Sequence, residues 1–261
     1  MTAPSEQIVE LLGGQFKTRV LIAGEGEPVV FLHGAGGLMW DPFLDALSSG
    51  HRVVAPQHPG SGGSQGVEHL EDVLDLVLYY GELFDVLGLG TVSLVGHSFG
   101  GMVAAEIAAT NPERIDKLVL LAPLGLWIDD HPIPDISTLD PAGLPALLLA
   151  DPGGPLAGLL TSPDVTDPEA LFQAAMGMAS ILQFIWPIPD KGLGRRLYRV
   201  KADTLVVWGA QDRLIDPAYG PAFAAAIANA RLEVVDRAGH LPQLEQAAQV
   251  IGLVDGFLPS R

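Results

Sequence analysis

The stretch Thr91-Val92-Ser93-Leu94-Val95-Gly96-His97-Ser98-Phe99-Gly100-Gly101-Met102-Val103-Ala104-Ala105-Glu106-Ile107-Ala108-Ala109 decides the fold of this chain. It begins as a short apolar run rich in β-branched residues and ends as a small-residue, helix-forming run, with a glycine-flanked serine between them. The order is strand, sharp turn, helix. A serine at the apex of such a turn sits in a strained backbone conformation that pushes its hydroxyl beyond the sheet edge, and Gly96 and Gly100 leave room for strand and helix to cross closely. Ser98 is therefore the candidate nucleophile. With 31 glycines in 261 residues, the pattern Gly-x-Ser-x-Gly alone carries little weight. Gly62-Gly63-Ser64-Gln65-Gly66 fits it too, but it follows the turn-rich Pro59-Gly60-Ser61 with no strand leading into it.

Working outward, further apolar runs repeat the strand half of this unit. Phe16 to Ile22 alternates like a half-buried strand, and Pro28 to Leu32 is a buried run that opens into His33-Gly34-Ala35-Gly36-Gly37. Arg52 to Ala55, Lys117 to Leu121, Thr204 to Trp208 and Arg231 to Val235 are also strand-like. Helical periodicity falls on Trp40 to Leu47, Leu70 to Leu87, Pro217 to Asn229 and Leu241 to Phe257. Strands that are apolar on both faces and alternate with helices predict an α/β fold, a mostly parallel central sheet covered by helices on both faces.

The alternation stops between Pro123 and Lys201. That segment carries many of the chain's prolines among short helix-like pieces such as Glu169 to Trp186. A stretch so long is not a simple loop. It predicts a helical cap, residues 125–200, inserted into a core formed by 1–124 and 201–261. Such a cap would select which substrates reach the serine, and replacing it with a short linker would spoil that preference and the stability while leaving the reacting residues in place. Trp127, Phe172, Met176, Met178, Phe184 and Trp186 are its candidates for an apolar pocket.

Two stretches complete the chemistry. Trp208-Gly209-Ala210-Gln211-Asp212-Arg213 and Ala238-Gly239-His240-Leu241-Pro242 each follow a buried strand, where the ligand-facing residues of open α/β sheets gather. A serine hydroxyl needs a histidine to take its proton, and the histidine needs a carboxylate to fix its tautomer and stabilise its cation. Ser98, Asp212 and His240 supply that set. Asp129 and Asp130, after the 117–121 strand, are the rivals to Asp212. His33 and His97 belong to backbone-defining motifs, and His51, His69 and His131 read as surface or turn residues.

Composition narrows the function. Fourteen basic against 31 acidic residues give a formal charge of −17, which repels phosphate backbones and anionic headgroups and argues against nucleic-acid or membrane partners. The absence of cysteine excludes disulfides and thiolate chemistry. No metal-ligand spacing occurs and no cofactor motif is present, so no metal and no cofactor is expected. Residues 1–14 lack a basic region before an apolar stretch, and the apolar stretch 144–160 is broken by prolines, glycines and Asp151. The expectation is a cytoplasmic monomer or small homo-oligomer acting on a small molecule.

At this point the chain resembles the α/β-hydrolase family, in its serine-nucleophile, carboxylesterase-like branch with a helical cap. The resemblance rests on His33-Gly34-Ala35-Gly36-Gly37, Gly96-His97-Ser98-Phe99-Gly100-Gly101, Gly209-Ala210-Gln211-Asp212 and Gly239-His240, in the family's order. It implies an oxyanion hole made by the backbone N–H groups of Ala35 and Phe99, each contributing about 3 kcal/mol in comparable sites. It also implies hydrolysis of small to medium, hydrophobic or uncharged carboxylic esters through an acyl-enzyme. The alternative is a C–C bond hydrolase of dienoic ring-cleavage products, although such capped relatives commonly carry asparagine where this chain has His97. A third reading, of another class, is a non-catalytic small-molecule receptor on the same fold.

Overall fold

The computed structural model describes residues 3–160 and 167–258. Eight strands occur among them: β1 (Ser5–Leu11), β2 (Phe16–Ala23), β3 (Pro28–Leu32), β4 (Arg52–Pro56), β5 (Val92–His97), β6 (Ile115–Leu121), β7 (Asp203–Gly209) and β8 (Ala230–Val235). They form one sheet in the order β1-β2-β4-β3-β5-β6-β7-β8. β1, β2 and β4 pair antiparallel, and from β4 through β3 to β8 the pairing is parallel. This is the α/β architecture that the alternating pattern predicts.

Period-2 alternation sends the two faces of each central strand into separate cores. Val30 and Leu32 of β3 join Leu94 of β5 and Leu118 and Leu120 of β6 in one core, together with α2 (Val73–Val86), α3 (Phe99–Thr110) and α6 (Tyr219–Ala226). Val29, Phe31, Val95, Val119 and Leu121 face the other, under α1 (Pro42–Leu47) and α8 (Ala247–Asp255). Three helices begin at an aspartate that accepts backbone N–H groups of the first turn: Asp41 for α1, Asp72 for α2 and Asp167 for α5 (Pro168–Ile185). These caps set the starts two residues later in α1, three later in α2 and one earlier in α5 than the periodicity alone predicts.

β1 lies outside the strands that the apolar pattern predicts. It is an edge strand that buries only Val9 and Leu11, so its pattern is too weak to stand out from a polar terminus. The helix expected over 241–257 is two helices, α7 (Pro242–Glu245) and α8, separated by Gln246 in a non-helical conformation.

Between β6 and β7 no strand occurs among the described residues. This segment carries α4 (Leu144–Leu148), α5 and several single turns of 3-10 helix. Its attachment to the sheet is partly ionic. Arg196 reaches Glu106, buried in the middle of α3, with Nε–Oε2 2.9 Å and a second guanidinium bond at 2.5 Å. α3 is buried along all of Phe99–Ala109, and its glycines and alanines allow that close approach on every side. No helix among the described residues is long and apolar enough to cross a membrane.

Candidate active site

Ser98 occupies the junction of β5 and α3 with φ 54° and ψ −117°, a left-handed conformation that costs a non-glycine residue about 1–3 kcal/mol. The surroundings hold it there. Its N–H donates to the Leu121 carbonyl (3.0 Å), and its own carbonyl accepts from Leu124 (3.0 Å) and Met102 (3.1 Å). A Cβ at Gly96 would strike the Gly100 backbone, and one at Gly100 would strike the carbonyl of Leu32, so neither position admits a side chain.

Asp212 lies in the turn after β7. One carboxylate oxygen accepts the N–H groups of Leu214 and Ile215, both at 2.9 Å, and the other faces Nδ1 of His240 at 2.8 Å. Facing a carboxylate, Nδ1 carries the proton, which leaves Nε2 to accept the Ser98 hydroxyl at 2.8 Å. The loops bearing acid and base touch at Gly209, where a Cβ would meet the backbone of Ala238 and Gly239. The three residues selected from the sequence are thus brought into one hydrogen-bonded line. Asp129 and Asp130 are exposed, and Asp129 accepts instead from the Trp127 indole at 2.9 Å.

Ser64 is structural. It is 5% exposed, donates to the Gln57 carbonyl (3.1 Å) and accepts the Arg19 N–H (3.0 Å), which ties the loop after β4 to β2. Of the remaining histidines, His69 and His131 are partly exposed. His51 is buried at the turn between α1 and β4, its N–H bonded to the Leu47 carbonyl (3.1 Å), against the expectation of a surface position. Among the described residues no group of three or more His, Asp or Glu is placed to hold a metal ion.

His33, His58 and His97 form a buried layer behind the site. His58 donates Nε2–H to the His33 carbonyl (2.8 Å) and accepts the Tyr80 hydroxyl at 2.5 Å, while its N–H donates to His33 Nε2 (3.0 Å). His97 donates Nε2–H to the His240 carbonyl at 2.8 Å. Burial pushes His58 down from the ordinary 6.5 to about 4 and His97 to about 3, the neighbouring His240 lowering His97 further. His33 is held well below 6.5 by burial first and by His58 second. All three are neutral when folded, whereas the unfolded chain protonates them below about pH 6.5. The unfolded state therefore binds more protons throughout that range, and their contribution to stability is present above pH 6.5 and lost as pH falls through the folded values. Urea unfolding at pH 7, 6 and 5 is expected to show stability falling by about 0.7 kcal/mol from pH 7 to 6 and by about 1.2 kcal/mol from pH 6 to 5 for each such histidine. A flat profile over that range would contradict the burial of these imidazoles as neutral groups.

A pocket opens in front of the Ser98 hydroxyl. Ala35 and Phe99 form its base, and Leu124, Trp127, Ile136, Leu182, Ile185 and Trp186 contribute much of its wall, with Leu214 and Ile215 beside the acid. No lysine or arginine is among its lining residues. Arg213, beside Asp212 in sequence, turns its guanidinium to the carbonyls of Ala146 (3.2 Å) and Leu149 (3.1 Å). Two of the six aromatic and methionine candidates, Trp127 and Trp186, line this pocket. Phe184 packs against Phe99 with ring centroids 6.1 Å apart, Met178 is half-buried, and Phe172 and Met176 are on the outside, 57% and 43% exposed. On an exposed helix an apolar side chain carries no mark of which way it points, so composition alone misassigned these two.

A serine in a strained strand-to-helix turn, in line with a histidine and a carboxylate from the ends of two other parallel strands, defines the α/β-hydrolase class. The model of the alpha/beta hydrolase family matches residues 29–253, and the chain belongs to that family. It is 31% identical over 267 residues to a 2-hydroxy-6-oxo-6-phenylhexa-2,4-dienoate hydrolase of Comamonas testosteroni, covering 92% of this chain and 90% of the relative. Among solved structures it is similar to a 2-hydroxy-6-oxo-6-phenylhexa-2,4-dienoate hydrolase from Rhodococcus sp. strain RHA1, with TM-score 0.77, 26% identity and coverage of 97% of this chain and 99% of that one. It also shares its fold with a bacterial membrane phospholipase A, with TM-score 0.80, 21% identity and coverage of 98% and 86%. The chain is thus a hydrolase of this family, and the two 2-hydroxy-6-oxo-6-phenylhexa-2,4-dienoate hydrolases match it over nearly its whole length.

Proposed function

We propose that the protein is a serine hydrolase that cleaves the bond beside a carbonyl of a small apolar substrate, and that this bond is the carbon–carbon bond of a dienoic ring-cleavage product. The observation that carries the hydrolytic reading is the line Ser98 Oγ–His240 Nε2–His240 Nδ1–Asp212, with 2.8 Å at both contacts, at the floor of an apolar pocket. Ser98 attacks the carbonyl carbon and its proton passes to Nε2 of His240. The N–H groups of Ala35 and Phe99 receive the oxyanion, aided by the positive end of α3. When the bond breaks, the leaving atom takes the proton from His240, and a water then follows the same route to release the acyl group from Ser98. A carbon leaves only when its electron pair spreads into an adjoining unsaturated system, which the keto tautomer of a 2-hydroxydienoate provides: with the hydroxyl proton shifted to the carbon beside the reacting carbonyl, the pair from the broken bond enters the enone. The curated relatives support this choice of bond.

A second reading, ester hydrolysis, is favoured by one observation. A dienoate carries a carboxylate, and no lysine or arginine lines the pocket to receive it. The assay that separates the two compares turnover of 2-hydroxy-6-oxo-6-phenylhexa-2,4-dienoate, followed by loss of its chromophore, with p-nitrophenyl butyrate. The expected result is a kcat/KM higher for the dienoate by about tenfold or more, a difference of about 1.4 kcal/mol in transition-state binding. A preference for the neutral ester reverses the assignment of the bond. Turnover of neither, with no acylation of Ser98, leaves a small-molecule receptor.

In this reading the segment between β6 and β7 acts as a cap that supplies the apolar wall. No metal and no cofactor enters any step.

A further inference from the structure

The main chain of His240 is held from three directions. Its N–H donates to the carbonyl of Leu148, at the end of α4, at 2.7 Å, and its carbonyl accepts Nε2–H of His97 at 2.8 Å. The third hold is a carboxylate. Glu245, the last residue of α7, accepts the N–H of Gly239 on Oε2 at 2.5 Å and the N–H of Ala150 on Oε1 at 2.7 Å. Gly239 is thereby pressed so close to α4 that a Cβ there would lie 2.5 Å from the Leu148 carbonyl and 3.0 Å from the Ala150 nitrogen.

Resting on the hydrolase reading above, we infer that Glu245 is a positioning residue for the general base: its carboxylate is the joint through which the segment 144–150 fixes the backbone that carries His240. The physical case is one of geometry. Charge-assisted bonds to backbone N–H groups are short and directional, and here one carboxylate spans two separate chain segments. With the Gly239 N–H released, the imidazole keeps its partner Asp212, and the His240 main chain its bonds to Leu148 and His97, but the pivot that aims Nε2 at Ser98 loses one of its three holds. A displacement of about 1 Å between reacting groups costs on the order of 100-fold in rate. Glu245 touches neither Ser98 nor the imidazole of His240, so its effect reaches the reaction only through the backbone.

The test is the rate and stoichiometry of fluorophosphonate labelling of Ser98 in the full-length protein, in Glu245→Gln and in Glu245→Ala, with thermal unfolding measured alongside. The expected result is complete labelling in all three, slowed about tenfold or more in Glu245→Ala and by less in Glu245→Gln, whose amide oxygen still accepts one N–H while its NH2 group faces the other. Steady-state turnover is expected to lose kcat while KM stays within about threefold, because the pocket wall is untouched. A Glu245→Ala protein that labels at the wild-type rate overturns the inference. So does a labelled fraction that falls while the labelled molecules react at the wild-type rate, since that is a fault of folding and not of aim. A wild-type protein that takes no label, although folded, overturns the hydrolase reading itself.

Discussion

Ser98→Ala is expected to abolish turnover of every substrate and all reaction with a fluorophosphonate, while the protein remains folded with its stability changed by no more than about 1 kcal/mol. The size of the first effect follows from the mechanism, in which the hydroxyl oxygen forms the only covalent bond to the acyl group. The smallness of the second follows from what is removed. The hydroxyl faces His240 and the pocket rather than the core, so its loss opens no cavity and forfeits one hydrogen bond. The backbone strain at φ 54° is unchanged, because alanine has the same Cβ. The measurement is a progress curve with mass spectrometry of the labelled protein. Modification of Ser64, or wild-type turnover by the variant, would assign the nucleophile to the other glycine-flanked serine.

Asp212→Asn is expected to lower kcat by about four orders of magnitude with little change in fold. The structure explains how one atom can matter so much. Oδ1 of Asp212 is occupied by the N–H groups of Leu214 and Ile215, and an asparagine oxygen accepts those bonds equally well. The NH2 group must then take the place of Oδ2, pointing a donor at Nδ1 of His240. The imidazole answers by moving its proton to Nε2, where it can no longer accept from Ser98. Asp129→Asn and Asp130→Asn serve as controls and are expected to change kcat by less than about twofold, as both carboxylates are exposed and it is Asp212 that occupies Nδ1 of His240. Comparable losses in the controls would move the acid to the end of β6.

The parts of the molecule legible in the sequence are those in which one residue's chemistry and its chain neighbours carry the signal together. Ser98 announces itself because a β-branched run, two obligatory glycines and a small-residue helix all converge on it. Asp212 and His240 follow because each stands one turn past an apolar strand-like run, although β8 is an edge strand that buries only Val235. The rest escaped for physical reasons. β1 buries too little to show a pattern. Phe172 and Met176 are apolar, yet they are on the outside of α5, and composition does not reveal the direction of a side chain. The histidine layer behind the site escaped because His33 and His97 stand in backbone-defining motifs, and because a buried neutral imidazole and an exposed one are the same letter. Glu245 escaped for another reason. It lies in a helix-like run, and the groups it serves are peptide N–H groups, which every residue possesses and no sequence pattern marks.

The stitching around α4 bears on how such chains can be altered. The segment between β6 and β7 supplies much of the pocket wall, which makes it the obvious piece to exchange between relatives in order to change what is cleaved. It is also fastened to the loops that carry the base and the acid. Leu148 holds the N–H of His240, Ala150 shares the carboxylate of Glu245, and the carbonyls of Ala146 and Leu149 hold Arg213 beside the acid. A graft bounded by the strand ends would bring a new wall and at the same time unfasten the base. The unit of exchange is larger: it includes 144–150 together with Arg213, Gly239 and Glu245, so that changes in selectivity arise readily by substitution in the outer part of the segment and only by concerted change in the part beneath it.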